Sequence, residues 1–403
     1  MAEPSRTRWG LVLVATGAGV IAAAHVGKVP AALPSIRAEL GLDLVAAGWV
    51  VSIFNATGMA GGMLAGVFAD RIGHRRLALT GLAALLLGSL AGATAESGTV
   101  LLLTRFLEGL GFVTTAVSAP SIIANAAKHR DRRLALGLWG AYMPAGVAAM
   151  MLMSPALLAP FGWRGLWLAV AAATGVWFVV LWAAGRDFAA PASGQRQGGS
   201  ALEDIRLTLS RPGPWLLAAC FAFYTLQWLA LMVWLPTYLI EQRGSTVLAA
   251  ATLTVLVIAL NIPGNLLGGW LLHRDVPRWA LLATVAGLSA PFGLGIFSDL
   301  LPDLMRYALC LAFSFLGGML PAAVLAGAPV FTPTPRQIGA TNGLLVQGSH
   351  VGQLIGPPAV AAVVAATGDW QAGAWIFVAA GALGVVAALV IRPVERDLVQ
   401  PVG

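Results

Sequence analysis

Gly66-Val67-Phe68-Ala69-Asp70-Arg71-Ile72-Gly73-His74-Arg75-Arg76 is a burst of charge in a 403-residue chain that is 10% charged and 58% hydrophobic. An apolar run from Leu44 to Ala69 precedes its charges, and another follows from Leu77 to Ala95. Each run exceeds or approaches the roughly 20 residues that carry a helix across the hydrocarbon core of a bilayer. A short, basic, glycine-turned connection between two such runs reads as a tight loop on one membrane face. That reading decides the fold class, because the rest of the chain repeats the pattern.

Mean hydropathy is +0.83, and the apolar runs are continuous rather than alternating, which selects helices over a membrane barrel. The expected fold is an all-α polytopic membrane protein with twelve spans: 9–33, 44–69, 77–95, 99–127, 134–160, 165–185, 213–240, 247–272, 278–298, 303–330, 338–366 and 372–392. The stretch 186–212, rich in Gly, Ser, Gln and Pro, reads as a cytoplasmic linker between an N-terminal six-helix bundle (1–185) and a C-terminal one with a short cytoplasmic tail (213–403). Arg6 and Arg8 ahead of an apolar segment imitate a signal peptide, but the internal repeat requires a retained first span. Two cysteines inside apolar runs give no disulfide framework. The basic pI of about 10.2 comes from residues scattered over short loops, so nucleic acid is not an expected partner.

Orientation follows from those loops. With the N-terminus inside, 18 of the 24 Lys and Arg fall on the cytoplasmic side and 4 outside, while Lys28 and Arg105 lie at membrane depth. This places both termini in the cytoplasm and the chain as a multi-pass protein of the cell (inner) membrane. The halves also repeat. Pro34, Gly62, Gly66 and Arg76 map onto Pro236, Gly264, Gly268 and Arg278 at an offset of 202, and Gly137, Gly146 and Gly162 onto Gly343, Gly352 and Gly368 at 206.

The loop resembles the connection between the second and third helices of the major facilitator superfamily, Gly-x-Leu-x-Asp-Arg-x-Gly-Arg-[Arg/Lys]. It matches at Gly66, Asp70, Arg71, Gly73 and Arg75 and departs at Phe68 and His74. Arg105-Phe106-Leu107-Glu108-Gly109-Leu110-Gly111 is similar to a second pattern of that family, on its fourth span. The resemblance implies two pseudo-symmetric six-helix halves, a role for Arg105 in the cavity and in proton coupling, and a gate at the loop in which Asp70 acts as a latch. The segment His25-x-x-Lys28-x-Pro30 to Leu33-Pro34-Ser35-Ile36-Arg37 also resembles the cyanate and nitroimidazole permease branch. Span 5 keeps Pro144 but lacks the flanking glycines of the family's drug/proton antiporters.

Ionisable residues at membrane depth are costly and therefore informative. His25 and Lys28 are three apart on span 1, Arg105 and Glu108 three apart on span 4, and both pairs sit at similar depth in the outer half. Lys28 and Arg105 outnumber Glu108, so the site favours an anion. The bland alternatives are that Arg105 and Glu108 merely neutralise each other and that Lys28 snorkels to the headgroups. Asn55, Tyr142, Tyr224, Gln227, Asn261, Asn342, Gln347 and His350 are the expected polar lining. No nucleophile elbow, phosphate loop or zinc spacing supports an enzyme, and no cofactor or metal is called for. The expected activity is secondary transport by alternating access, with proton-coupled uptake of a small anion by a monomer. His25, Glu108 and His350 are the expected proton carriers. A proton-driven efflux antiporter is the alternative. Less favoured are a copper importer using His25, His350, Met150, Met151 and Met153 and a receptor with a transporter-like fold.

Overall fold

The computed structural model describes residues 6–62, 73–128, 130–184, 201–332, 334 and 337–399. Among them, eleven helices are long and apolar enough to cross a membrane. They are α1 (Trp9–Leu40), α2 (Leu44–Gly62), α3 (His74–Ala93), α4 (Gly98–Ala126), the 50-residue helix Leu134–Ala183, Pro212–Arg243, Val247–His273, Arg278–Phe297, Asp303–Leu325, Ile338–Thr367 and Trp370–Arg396.

The 50-residue helix is two spans. Gly162 sits at φ 62, ψ −174, a backbone conformation essentially confined to glycine. Packing against α1 shows what this does. Before Gly162 the chain runs alongside α1 in the same direction, Gly146 against Val20 and Val147 and Met150 against Gly27. After it the order reverses: Trp163 reaches Glu39, Thr174 reaches His25 and Trp177 reaches Val14. Gly162 therefore divides α5 (134–161) from α6 (163–183), and the twelve expected spans are present. The remaining spans are α8 (Pro212–Arg243), α9 (Val247–His273), α10 (Arg278–Phe297), α11 (Asp303–Leu325), α12 (Ile338–Thr367) and α13 (Trp370–Arg396).

Part of the expected linker is ordered as well: Ala201–Leu209 forms a short helix, α7. Glu203 and Asp204 in its first turn and Arg206 in its last agree with the helix dipole. Its intrinsically good helix formers, Ala, Leu, Glu and Arg, override a glycine-rich context that suggested only coil.

The repeat is written into the backbone. The described residues with positive φ are Gly41, Gly73, Gly162, Gly244, Gly368 and Asp275. They form three pairs, Gly41 with Gly244, Gly73 with Asp275 and Gly162 with Gly368, at offsets of 203, 202 and 206. Each pair ends or begins a span at the equivalent place, Gly41 and Gly368 as left-handed helix C-caps and Gly73 at the N-cap of α3. Close approaches repeat too. A Cβ on Gly146 would strike the Val20 carbonyl of α1, and a Cβ on Gly352 would strike the Ala222 carbonyl of α8.

By packing, the chain forms two compact units. One gathers the described residues within 1–42, 64–198 and 236–252, the other those within 43–63, 199–235 and 253–403. In the second, α2 lies flush on α12: Gly48 has no room for a side chain beside Pro358, 2.9 Å from its would-be Cβ, and Gly58 none beside His350.

Candidate functional site

Four spans of the first unit converge on one fully buried ionic cluster. His25, Lys28 and Glu108 are 0% exposed and Arg105 is 1% exposed. The i, i+3 spacing on α1 aims His25 and Lys28 at α4, and the same spacing on α4 aims Arg105 and Glu108 back. Glu108 Oε1 accepts from Lys28 Nζ at 2.6 Å and lies 3.2 Å from His25 Nδ1. Its other oxygen accepts from Arg105 Nη1. Arg105 Nη1 also donates to the His25 carbonyl, 3.0 Å away, so the guanidinium ties α4 to the backbone of α1 as well as to its own carboxylate.

Two further spans complete the shell. From α3, Ser89 Oγ accepts from Lys28 Nζ at 2.8 Å and donates to the Trp167 carbonyl at 2.9 Å. From α6, Trp167 places its ring under the ammonium, 4.3 Å from Nζ to the centroid, and Thr174 meets His25 Nε2 at 2.9 Å. Gly88 makes the approach possible: a Cβ there would stand 2.7 Å from Glu108 Cγ and 3.0 Å from the Thr104 carbonyl.

The cluster holds two cations against one carboxylate before His25 is counted. Burying charge is tolerable only when it is paired and hydrogen-bonded, and here every charged atom named has such a partner. Lys28 points inward to Glu108 and does not reach for the headgroups. Arg105 and Glu108 do neutralise each other, but within a larger network. Sequence reasoning brought the four ionisable residues together and missed Gly88, Ser89, Trp167 and Thr174. Ser and Thr inside apolar spans carry weak signals, because most such hydroxyls simply bond back to their own helix.

The other expected residues are placed as follows. Tyr142 stacks on Trp139, with ring centroids 4.0 Å apart, in the first unit. In the second unit Tyr224 Oη accepts from Asn261 Nδ2 at 2.8 Å, and Asn261 also donates to the Ser314 carbonyl at 3.0 Å. Gln227 donates to the Phe377 carbonyl at 3.2 Å. That bond joins α8 to α13, the same pair of spans in the second half that the His25–Thr174 contact joins in the first. His350 Nδ1 meets Asn55 Oδ1 at 3.1 Å, and Gln347 donates to the Met59 carbonyl at 2.9 Å. Asn342 Oδ1 is buried with no hydrogen-bond partner among the described residues. Met150 and Met151 are buried while Met153 is 57% exposed, so these three methionines do not converge.

Of the gating residues, Gly66, Asp70 and Arg71 lie outside the described residues. Gly73 adopts φ 90, which explains a glycine at that point of the turn. Arg75 donates to the Trp182 carbonyl at the end of α6, 2.9 Å away.

Twelve apolar spans in two repeated sets around a buried ionic cluster define a polytopic membrane protein. The family model of the Major Facilitator Superfamily matches residues 13–337, and the chain belongs to that family. It is 25% identical to a probable sulfoacetate transporter of Cupriavidus necator, over 91% of this chain and 89% of that protein. It is 24% identical to a hexuronate transporter of Bacillus subtilis, over 99% and 97% of the two chains. Among solved structures it is similar in fold to a bacterial homologue of the human lysosomal transporter Spinster, with a TM-score of 0.82 at 18% identity and 98% of both chains covered.

Proposed function

We propose that this chain is a secondary active transporter that works by alternating access and takes up a small organic or inorganic anion together with protons. It acts as a monomer in the cell (inner) membrane, with both termini cytoplasmic. The observation that carries this reading is the fully buried excess of cationic donors over carboxylate at Lys28, Arg105 and Glu108. An anion whose oxygens take over hydrogen bonds now made to Glu108 would neutralise that excess in a medium of low dielectric. The sulfoacetate and hexuronate of the two similar transporters are both small organic anions, which supports the same class. Neutral polar groups at Asn55, Tyr142, Tyr224, Gln227, Asn261, Asn342, Gln347 and His350 serve the substrate pathway in this reading, and the bilayer is the protein's solvent. The two six-helix halves are residues 1–185 and 213–403, joined by 186–212.

The test is uptake of sulfoacetate, a hexuronate and other labelled small anions into proteoliposomes holding the full chain. Lys28→Ala and Arg105→Ala are each expected to abolish uptake, and dissipating the pH gradient is expected to abolish accumulation. Undiminished transport by both variants would reject the anion assignment; accumulation that persists without the gradient would reject proton coupling. Competition by cationic drugs instead of anions would favour an efflux antiporter.

The cytoplasmic loop acts as the gate in the same proposal. Asp70→Asn is expected to impair transport and favour inward-facing states, while leaving substrate affinity of a conformationally locked protein nearly unchanged.

A further inference from the structure

Two hydroxyls that bond to backbone carbonyls order the hydrogen bonds around the buried cluster and point to one place for an added proton. Thr174 donates its hydroxyl hydrogen to the Val170 carbonyl at 2.7 Å, one turn back on α6. With the hydroxyl in that orientation its oxygen accepts from His25 Nε2, 2.9 Å away, and the hydrogen of the neutral ring sits on Nε2. Ser89 likewise donates to the Trp167 carbonyl and must accept from Lys28. Lys28 Nζ is 2.6 Å from Glu108 Oε1, 2.8 Å from Ser89 Oγ and 3.4 Å from His25 Nδ1, three acceptors for three hydrogens. A proton on Glu108 would face the donors of Lys28 or Arg105, because both its oxygens already accept from cations.

His25 Nδ1 also faces a cation, but only at the long distance of 3.4 Å from Lys28 Nζ, and it faces a carboxylate oxygen as well. In the neutral ring its lone pair stands 3.2 Å from Glu108 Oε1, acceptor against acceptor, in a fully buried site. Protonation converts that face into a charge-assisted hydrogen bond. The other groups facing His25 are Lys28 on its own helix, Arg105 and Glu108 from α4 and Thr174 from α6. α5 packs on this stretch of α1 through Val147 and Met150, which do not titrate.

We propose that His25 Nδ1 is the coupling-proton site of this transporter and that Thr174 is its positioning residue. By holding hydrogen on Nε2, Thr174 leaves only the nitrogen that faces Glu108 and Lys28 to bind the proton. This rests on the reading of proton-coupled anion uptake. Hydronium gives up one O–H bond as its proton bonds to the Nδ1 lone pair, a water molecule is left, and the charge of the cluster rises by one. Nδ1 then ceases to accept from Lys28, leaving that ammonium a like charge 3.4 Å away and one hydrogen to offer. The incoming anion takes that hydrogen and restores the charge, so one proton accompanies one monovalent anion, and each promotes binding of the other. Release of the anion and of the proton to water on the far side returns the ring to its neutral Nε2–H form.

The experiment is nitrogen-15 NMR of the full chain with labelled histidine in lipid nanodiscs, with His25 assigned by its loss in His25→Gln. Neutral His25 is expected as the Nε2–H tautomer, gaining hydrogen on Nδ1 as pH falls. Thr174→Val is expected to lose the tautomer preference and Thr174→Ser to keep it. A neutral ring protonated on Nδ1, a ring that does not titrate before the protein unfolds, or a Thr174→Val tautomer identical to wild type would overturn the proposal. Should Thr174→Val not fold, the wild-type tautomer and Thr174→Ser decide. No substrate is needed, so a His25 that behaves as expected in a protein transporting no anion upholds the proton site and rejects the transport reading.

Discussion

Glu108 is the residue on which the first unit's polar core depends. It is the carboxylate shared by Lys28, Arg105 and His25, and its removal leaves buried cations without their counter-charge. Glu108→Gln is expected to cost about 3–5 kcal/mol of stability, the usual penalty for breaking a buried ion pair from one side. Loss of transport without a fall in thermal stability would show that the pair is not essential to folding. Gly88→Ala tests the same atom without touching a charge: its methyl would press on Glu108 Cγ at 2.7 Å. An expected cost of about 1–3 kcal/mol follows from overpacking, read as a lowered Tm in nanodiscs with uptake reduced in step. The charged members of this cluster were legible in the sequence because ions at membrane depth are rare. Ser89 and Thr174 were not, since nothing in one chain separates a hydroxyl that orients an ion from one that merely bonds its own helix.

The elements are punctuated by backbone conformation as much as by charge. Gly162 turns α5 into α6 without a polar loop, and its φ of 62 with ψ of −174 is closed to residues with a Cβ. Gly162→Ala is expected to cost about 1–3 kcal/mol, measurable as a lower unfolding temperature. An unchanged Tm would mean that the reversal tolerates another geometry. Asp275 is the instructive exception, a non-glycine at φ 60 where the first half has Gly73. Asp275→Gly is expected to relieve about 1 kcal/mol of left-handed strain and raise the Tm slightly. The sequence located both reversals to within a few residues, because glycine and charge mark them. It could not show that 201–209 is helical, since the surrounding glycines and serines dominate the local composition.

For the whole molecule, the repeat seen as constant offsets reappears as paired turns, paired carbonyl contacts at Gly146 and Gly352, and the matched bonds of His25 and Gln227. Orientation remains a matter of charge, and it can be checked because Cys220 and Cys310 are both buried. Single cysteines placed at Ser245 and Ser210 are expected to react with an impermeant reagent from the outside and the inside of right-side-out vesicles respectively. The reverse pattern would invert the topology. The twelve spans were legible because a bilayer forces every spanning segment to declare itself by length and apolarity. How polar side chains pair within each unit was not, because pairing depends on helix rotation.

Order of synthesis gives the ionic cluster a further meaning. Lys28 leaves the ribosome 80 residues before Glu108, an interval of about 4–16 s at translation rates of about 5–20 residues per second. During that time α1 carries an ammonium at membrane depth with no carboxylate to meet it, at an insertion cost of about 2.5–3.5 kcal/mol. The mean hydropathy of 1.8 in the most apolar part of α1 opposes that cost. Nascent chains halted before Glu108 should therefore release α1 from the membrane more readily than chains long enough for all of α4 to have left the ribosome and entered the membrane. Biogenesis of this protein is then timed by the arrival of one carboxylate.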